Sequence, residues 1–305
     1  MVKKANFRKI LYNELVWARS LAGLNISLAA RRSGVRVPPS PHMIISTIIG
    51  FIAMCILVYA LAVLTVNDFS ILSGSIDRYK HILVLFPHPD DEVFSCGGTI
   101  KQAVKKGIRV TVATMTKGEK GTPDGHEELS LKTTRAQELQ KALSYLGVTD
   151  FILNDFGDGE LEHKRTEITA YVANLIKQLK PDLVITYDTS GFYGHPDHIV
   201  LAEVVTKLVK TSFPDVTLWY TTAPQKSLDK ISLPVHMAQD PAFHKRRTLP
   251  THKIVVARGI YSKVRAMFAH QSQMPGFKKS FPAYLPLWLS FSCMIVEYFH
   301  QYQRK

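Results

Sequence analysis

From His81 onward the chain alternates short β-branched runs with longer amphipathic stretches. That alternation restricts it to a mostly parallel sheet covered by helices, because each parallel pair of strands needs a long crossover between its members. Ile82 to Phe86, Ile108 to Met115, Phe151 to Leu153, Leu183 to Tyr187 and Val216 to Thr222 read as strands. Phe94 to Lys106, Leu131 to Leu146, Thr166 to Leu179 and His198 to Val209 read as helices, punctuated by Gly107, Gly147 and Pro181. Thr116 to Ser130 and Asn154 to Gly159 read as loops, Pro224 to Pro250 as a loop over the crevice, and Arg258 to Gln273 as a last helix. No GxGxxG is present, and the Gly97-Gly98 pair is explained by close helix-to-strand packing, so no nicotinamide cofactor is expected.

Two clusters carry the chemistry. Pro87-His88-Pro89-Asp90-Asp91-Glu92 follows the first strand, and Gly194-His195-Pro196-Asp197-His198 follows the run Leu183 to Tyr187. Crowded carboxylates repel one another and resist desolvation, so Asp-Asp-Glu beside an imidazole calls for a cation or a reaction. In parallel α/β sheets, functional groups gather outside the carboxyl ends of the strands, which lets the two clusters share one crevice. Hydrolytic zinc sites use three protein ligands and one open position; His88, Asp91 and His198 supply such a set. Asp90 is then free to take a proton from water and return it to a leaving group. His195 is placed to hydrogen-bond an oxyanion or protonate a departing amine, and Asp197 to orient a histidine. The plainer reading makes Asp90, Asp91 and Asp197 helix N-caps, but a cap needs one carboxylate.

Met43 to Val66 holds no charge over its whole length, long enough to cross a hydrocarbon layer about 30 Å thick. It is expected to be an uncleaved single-pass anchor. Arg31, Arg32 and Arg36 before it, against Arg78 and Lys80 after it, place the catalytic part outside the cytoplasm by a margin of one charge. Ser33 to Pro41 has no helical or strand period and reads as upstream sequence translated from a start codon placed too early, with Met43 the expected start. The division that follows is 1–42 as a basic extension, 43–66 as anchor, 67–80 as linker and 81–305 as the catalytic domain. Phe281 to Phe299, interrupted by Pro282 and Pro286, reads as core or interfacial contact and not as a second span.

The net charge of +13 is concentrated upstream: residues 1–42 hold eight Lys/Arg against one Glu. The remainder shows no basic stripe interleaved with aromatics, so no nucleic-acid partner is expected. Cys55, Cys96 and Cys293 form neither a disulfide framework nor a CxxC pair.

HPDDE after a strand and YGHPDH after a later one resemble the PIG-L/LmbE-like zinc-dependent de-N-acetylases, the family of N-acetylglucosaminyl-phosphatidylinositol deacetylases. The likeness runs from about His81 to Gln273. It implies a Rossmann-like three-layer sandwich, Zn2+ on His88, Asp91 and His198, and Asp90 as general base. It further implies His195 as acid partner, Tyr193 as an oxyanion contributor, and Arg135 and His270 as substrate contacts. Glu92 is expected to support the ligands. His126 is expected to be solvated. The implied function is removal of acetyl from an N-acetylated amino sugar, on a soluble glycoconjugate or a glycolipid. Two other classes compete. Two His and one carboxylate also make the facial triad of non-haem Fe2+ oxidoreductases, and a membrane-tethered sugar-binding protein would share the fold. A binding protein has no use for the spare Asp90 and His195.

Overall fold

The computed structural model describes residues 40–121, 128–225, 243–281 and 285–303. The basic extension, His126 and most of the Pro224 to Pro250 stretch lie outside them. Seven strands form one sheet: β1 His81–Phe86, β2 Arg109–Thr114, β3 Asp150–Leu153, β4 Leu183–Tyr187, β5 Thr217–Thr222, β6 His252–Val255 and β7 Val296–Gln301. Their order is β3-β2-β1-β4-β5-β7-β6. The first five run parallel, and β7 is antiparallel to both β5 and β6. The α/β class and the mostly parallel sheet agree with expectation.

Helices cover both faces. α1 is Pro41–Val66, α2 Asp91–Lys105, α3 Glu128–Leu146, α4 Arg165–Leu179, α5 Pro196–Thr211, α6 Ile260–Met267, α7 Met274–Ser280 and α8 Leu287–Ser292. β1 is buried along its whole length, as a strand between two helical layers must be. Its Ile82, Val84 and Phe86 join Val93 and Ile100 of α2 and Leu139 and Leu143 of α3. Leu83 and Leu85 face the other way, onto Ile168 and Val172 of α4 and Val200 and Val204 of α5. Each such side chain contributes roughly 1.5–3 kcal/mol on burial. The chain fills the sheet outward from β1 in one direction and from β4 in the other. Loops leaving the carboxyl ends of β1 and β4 therefore diverge and leave a crevice between them.

α1 is uncharged, has no buried residue, and is long and apolar enough to cross a membrane by length and composition. By contact it divides, with Met1–Val58 in one unit and Tyr59–Lys305 in the other.

Two strands correct the sequence reading. β6 is four residues long and opens on His252 and Lys253, too short and polar to show an alternation. β7 overlaps the end of the Phe281 to Phe299 stretch and runs on to Gln301, and Glu297 hides the pattern. The expected helix over Arg258 to Gln273 is also broken: a 3-10 turn at Ala257–Gly259 precedes α6, and another at Gln271–Gln273 follows it. α6 ends at Met267, and His270 beyond it is buried with its backbone outside the helical region (φ −81°, ψ 63°).

Glu297 shows why the carboxyl-terminal strand matters to α2. The backbone is non-helical at Cys96 (φ −147°, ψ 21°), so a fresh helical start follows. The Glu297 carboxylate accepts the N–H groups of Gly98 and Thr99, both at 2.7 Å, and the Thr99 hydroxyl at 2.6 Å. Lys263 pairs with the same carboxylate at 2.7 Å, both side chains being about 1% exposed. An anion at the start of a helix satisfies orphan donors and opposes the helix dipole. Of the Gly97-Gly98 pair, Gly98 is the one at a close approach. A Cβ on Gly98 would lie 2.4 Å from Val256 Cβ, just past β6. Gly98→Ala is therefore expected to destabilise the fold by roughly 1–3 kcal/mol despite its better helix propensity, read as a lower urea midpoint.

His252 makes stability depend on pH. Its ring is wedged against Trp219, with centroids 4.3 Å apart, and its Nε2 has no partner among the described residues. Burial, with Arg78 and His300 adding, pulls its pKa down to about 4. The unfolded chain then binds a proton that the folded chain refuses between pH about 6.5 and about 4, so stability falls as pH drops through that window. His252→Gln is expected to flatten the loss, measured as melting temperature against pH.

Candidate metal centre

β1 ends at Phe86, and the next four residues turn the chain into α2. Asp90 stands at φ 105°, ψ −31°, a conformation that non-glycine residues rarely take. Its carbonyl opens the helix, accepting from Val93 and Phe94 at 3.1 and 3.0 Å. Its side chain makes no capping bond and lies instead 3.2 Å from Arg135 Nη2, while its N–H donates to Glu92 Oε2 at 3.1 Å. Asp91 is not a simple cap either: Oδ2 accepts the His88 N–H at 3.0 Å and Oδ1 the Tyr187 hydroxyl at 2.8 Å.

On the opposite side, β4 runs into a tight loop with Gly191, Phe192 and Gly194 at φ 65°, 63° and 85°. His195 is the N-cap of α5, its Nδ1 accepting the Asp197 N–H at 3.2 Å. The reading of Asp197 as the cap is thus corrected. Its carboxylate accepts Gly159 and Leu161 N–H at 2.7 and 3.2 Å and faces His88 Nε2 at 3.2 Å, the orienting position expected of it.

The two loops meet. His88 Nδ1 lies 3.2 Å from His198 Nε2, and Asp91 Oδ2 lies 3.4 and 3.5 Å from those same nitrogens. A tetrahedral site with bonds of about 2.0–2.1 Å spaces its donors about 3.3–3.4 Å apart. The tautomers agree: His198 Nδ1 lies 3.2 Å from the Gly191 carbonyl, which fixes its proton there and leaves the Nε2 lone pair facing Asp91. His88 Nε2 faces Asp158 Oδ1 at 3.0 Å as well as Asp197, the outer carboxylates that orient a liganding imidazole. His88, Asp158 and Asp197 also lie close enough together to be considered as a ligand set, as do His88, His195 and His198. His88, Asp91 and His198 form a third such set, with their donor atoms 3.2 to 3.5 Å apart.

Burial and charge divide the ionisable groups. Burial pulls His88 down, but Asp158, Asp197 and Asp91 outweigh it and hold the imidazole well above its usual range. Burial would raise Asp91; His198 and His88 hold it below the usual carboxylate range. Burial pushes Asp90 up to about 7 against the pull of Arg135. Burial, reinforced by His88, takes His195 down to about 4. Neutral His195, with Nδ1 accepting, carries its proton on Nε2 as a donor.

Arg135 is buried, not on the surface: it donates to the Gly118 carbonyl at 2.8 Å and to the Pro89 carbonyl, and pairs with Asp90. Nη2 thereby holds the Asp90 turn, and Nη1 ties it to the Gly118 loop. Tyr193 stacks edge-on to His198, with centroids 5.0 Å apart. His270 has neither ring nitrogen bonded among the described residues, lies 3.9 Å from Glu92 Oε1, and is pulled by burial down to about 3. Glu92 is pushed by burial up to about 8. Asp158 and Tyr187 are contacts that sequence reasoning missed.

A family model described as PIG-L, GlcNAc-PI de-N-acetylase, matches residues 83–209. The 1D-myo-inositol 2-acetamido-2-deoxy-alpha-D-glucopyranoside deacetylase of Acidothermus cellulolyticus is 34% identical over 173 residues, 48% of this chain and 59% of that protein. This chain thus spans less than two thirds of that relative. The diacetylchitobiose deacetylase of Thermococcus kodakarensis is 31% identical over 218 residues, 70% of this chain and 77% of that protein. Among solved structures, the N,N'-diacetylchitobiose deacetylase of Pyrococcus horikoshii superposes with a TM-score of 0.54 at 20% identity, over 74% of this chain and 84% of that one, a likeness of fold.

Proposed function

Since this chain belongs to the PIG-L family of de-N-acetylases, we propose that it is a zinc-dependent hydrolase that removes acetyl from an N-acetylglucosaminide, free or lipid-linked. The observation that carries this reading is the convergence of three donor atoms, no pair more than 3.5 Å apart, beside a carboxylate that none of them uses. His88, Asp91 and His198 would hold the ion, which when bound supplies Lewis acidity toward the acetamide carbonyl and acidifies water.

The chain's own groups do the rest. Asp90, held in its turn by Arg135 and Glu92, takes a proton from the attacking water through its carboxylate oxygen. His195 Nε2–H donates to the oxygen of the carbonyl as charge gathers there, with the Tyr193 hydroxyl as a second donor. The water oxygen bonds to the acetyl carbon, the C–N bond breaks, and the proton passes from Asp90 to the departing nitrogen, giving acetate and a free amine. Arg135 acts through Asp90, and His270 lines the sugar side of the crevice. Residues 81–305 form the catalytic domain, joined by 67–80 to a membrane anchor over 43–66.

The test is purified protein with its metal content measured, assayed for amine and acetate release on a panel of N-acetylglucosaminides that includes lipid-linked ones. Release of acetate without oxygen supports hydrolysis. Oxygen consumption with Fe(II) and an oxo-acid instead assigns the site to oxidation, and bound sugar that keeps its acetyl group assigns it to recognition alone.

A further inference from the structure

The last two turns of α1 are fastened to the body at two levels. The Tyr59 hydroxyl donates to the Ser292 carbonyl at 2.9 Å. Asn67, 2% exposed, donates to the Cys293 and Val63 carbonyls at 2.7 and 2.8 Å, and its own oxygen accepts the Val296 N–H at 3.1 Å. Both groups of the Asn67 amide are thus committed to joining the end of α1 to the turn between α8 and β7. Tyr59 precedes Val66 by seven residues, about 10 Å along the axis, and helical side chains lean toward the amino terminus. The carboxyl end of α8 is therefore held alongside the last apolar turns of α1 and not beyond their end.

The composition of this region suits that depth. Trp288 is 58% exposed and Leu285 36%, whereas Phe291, three residues after Trp288, is fully buried among Phe268, Phe277 and Phe281. The preceding α7 ends in Lys278 and Lys279, both on its last turn. An indole is most stable at the boundary between headgroups and acyl chains, and an ammonium reaches from there to the phosphates. We propose that α8 is a second, surface-lying membrane contact: Leu285 and Trp288 enter the boundary of the leaflet from which α1 emerges, and Lys278 and Lys279 meet its anionic headgroups. This rests on reading α1 as an anchor. One span and one flat contact together hold the Tyr59–Lys305 body at a set height and tilt, which a span alone does not do.

The test uses the full chain reconstituted into phosphatidylcholine–phosphatidylglycerol vesicles, a share of the phosphatidylcholine being brominated on the acyl chain near the headgroup. Trp17 and the buried Trp219 are common to wild type and Trp288→Phe, so their difference reports Trp288 alone. Trp288→Phe is expected to remove roughly half or more of the bromine quenching of tryptophan emission. Lys278→Gln with Lys279→Gln is expected to weaken the quenching only where the vesicles are anionic. Protein that floats with vesicles but keeps its full quenching in Trp288→Phe overturns the contact and leaves the anchor standing. Protein that does not float removes the anchor and the contact with it. Shielding of Trp288 from acrylamide that follows protein concentration and not lipid assigns the face to a second copy of the chain, and also overturns the proposal.

Discussion

Asp90→Asn is expected to lower kcat by about 100- to 10,000-fold while the metal content stays at one ion per chain. Asparagine is the informative replacement because it tolerates positive φ nearly as well as aspartate, so the turn at φ 105° survives. It also keeps an oxygen for Arg135, whose guanidinium would otherwise lose its Asp90 partner. What disappears is the group that can hold a proton between the attack of water and the departure of the amine. Metal analysis beside steady-state amine release checks both halves. Full turnover in this variant removes Asp90 from the mechanism, and loss of the ion makes it a ligand.

The second large effect is on the ion itself. His198→Gln is expected to abolish stoichiometric metal binding and, with it, measurable deacetylation. His198 is the cleaner choice over His88, because removing His88 strands the buried carboxylates of Asp91, Asp158 and Asp197 around an empty space. Asp158→Asn gives the graded control: it keeps the three proposed ligands and neutralises one of the two carboxylates facing His88 Nε2, so affinity is expected to fall by about 10- to 100-fold. Competition with a coloured chelator ranks the three proteins. Equal affinities across them place the ion elsewhere.

The parallel half of the sheet is legible because β1, β2, β4 and β5 are short β-branched runs divided by long amphipathic ones. The meeting of His88 and Asp91 with His198 is legible because clustered like charges at strand ends have few other uses. Asp158 is not, since a lone Asp between glycines after a strand carries the ordinary signature of a turn. The burial of Arg135 is hidden as well: it sits among Lys132, Thr133, Thr134 and Gln137, a stretch with the look of a solvated helix face. A trace of it exists in Gly118 and Gly121, where a Cβ at either would lie 2.3 Å from the guanidinium. β6 and β7 escape because pairing partners distant along the chain, and not local periodicity, decide that they are strands.

The insertion of β7 between β5 and β6 has a consequence during synthesis. Val296 to Gln301 are made after all six other strands, yet they supply both the neighbour that β6 needs and the carboxylate that starts the second half of α2. A nascent chain that has not yet released Val296 from the ribosome holds the proposed ligands and proton carrier, but not the carboxylate that fastens α2 behind Asp90 and Asp91. Catalytic competence should therefore arrive abruptly with translation of β7, and a stop codon placed before it should leave a polypeptide with the complete motif and no activity.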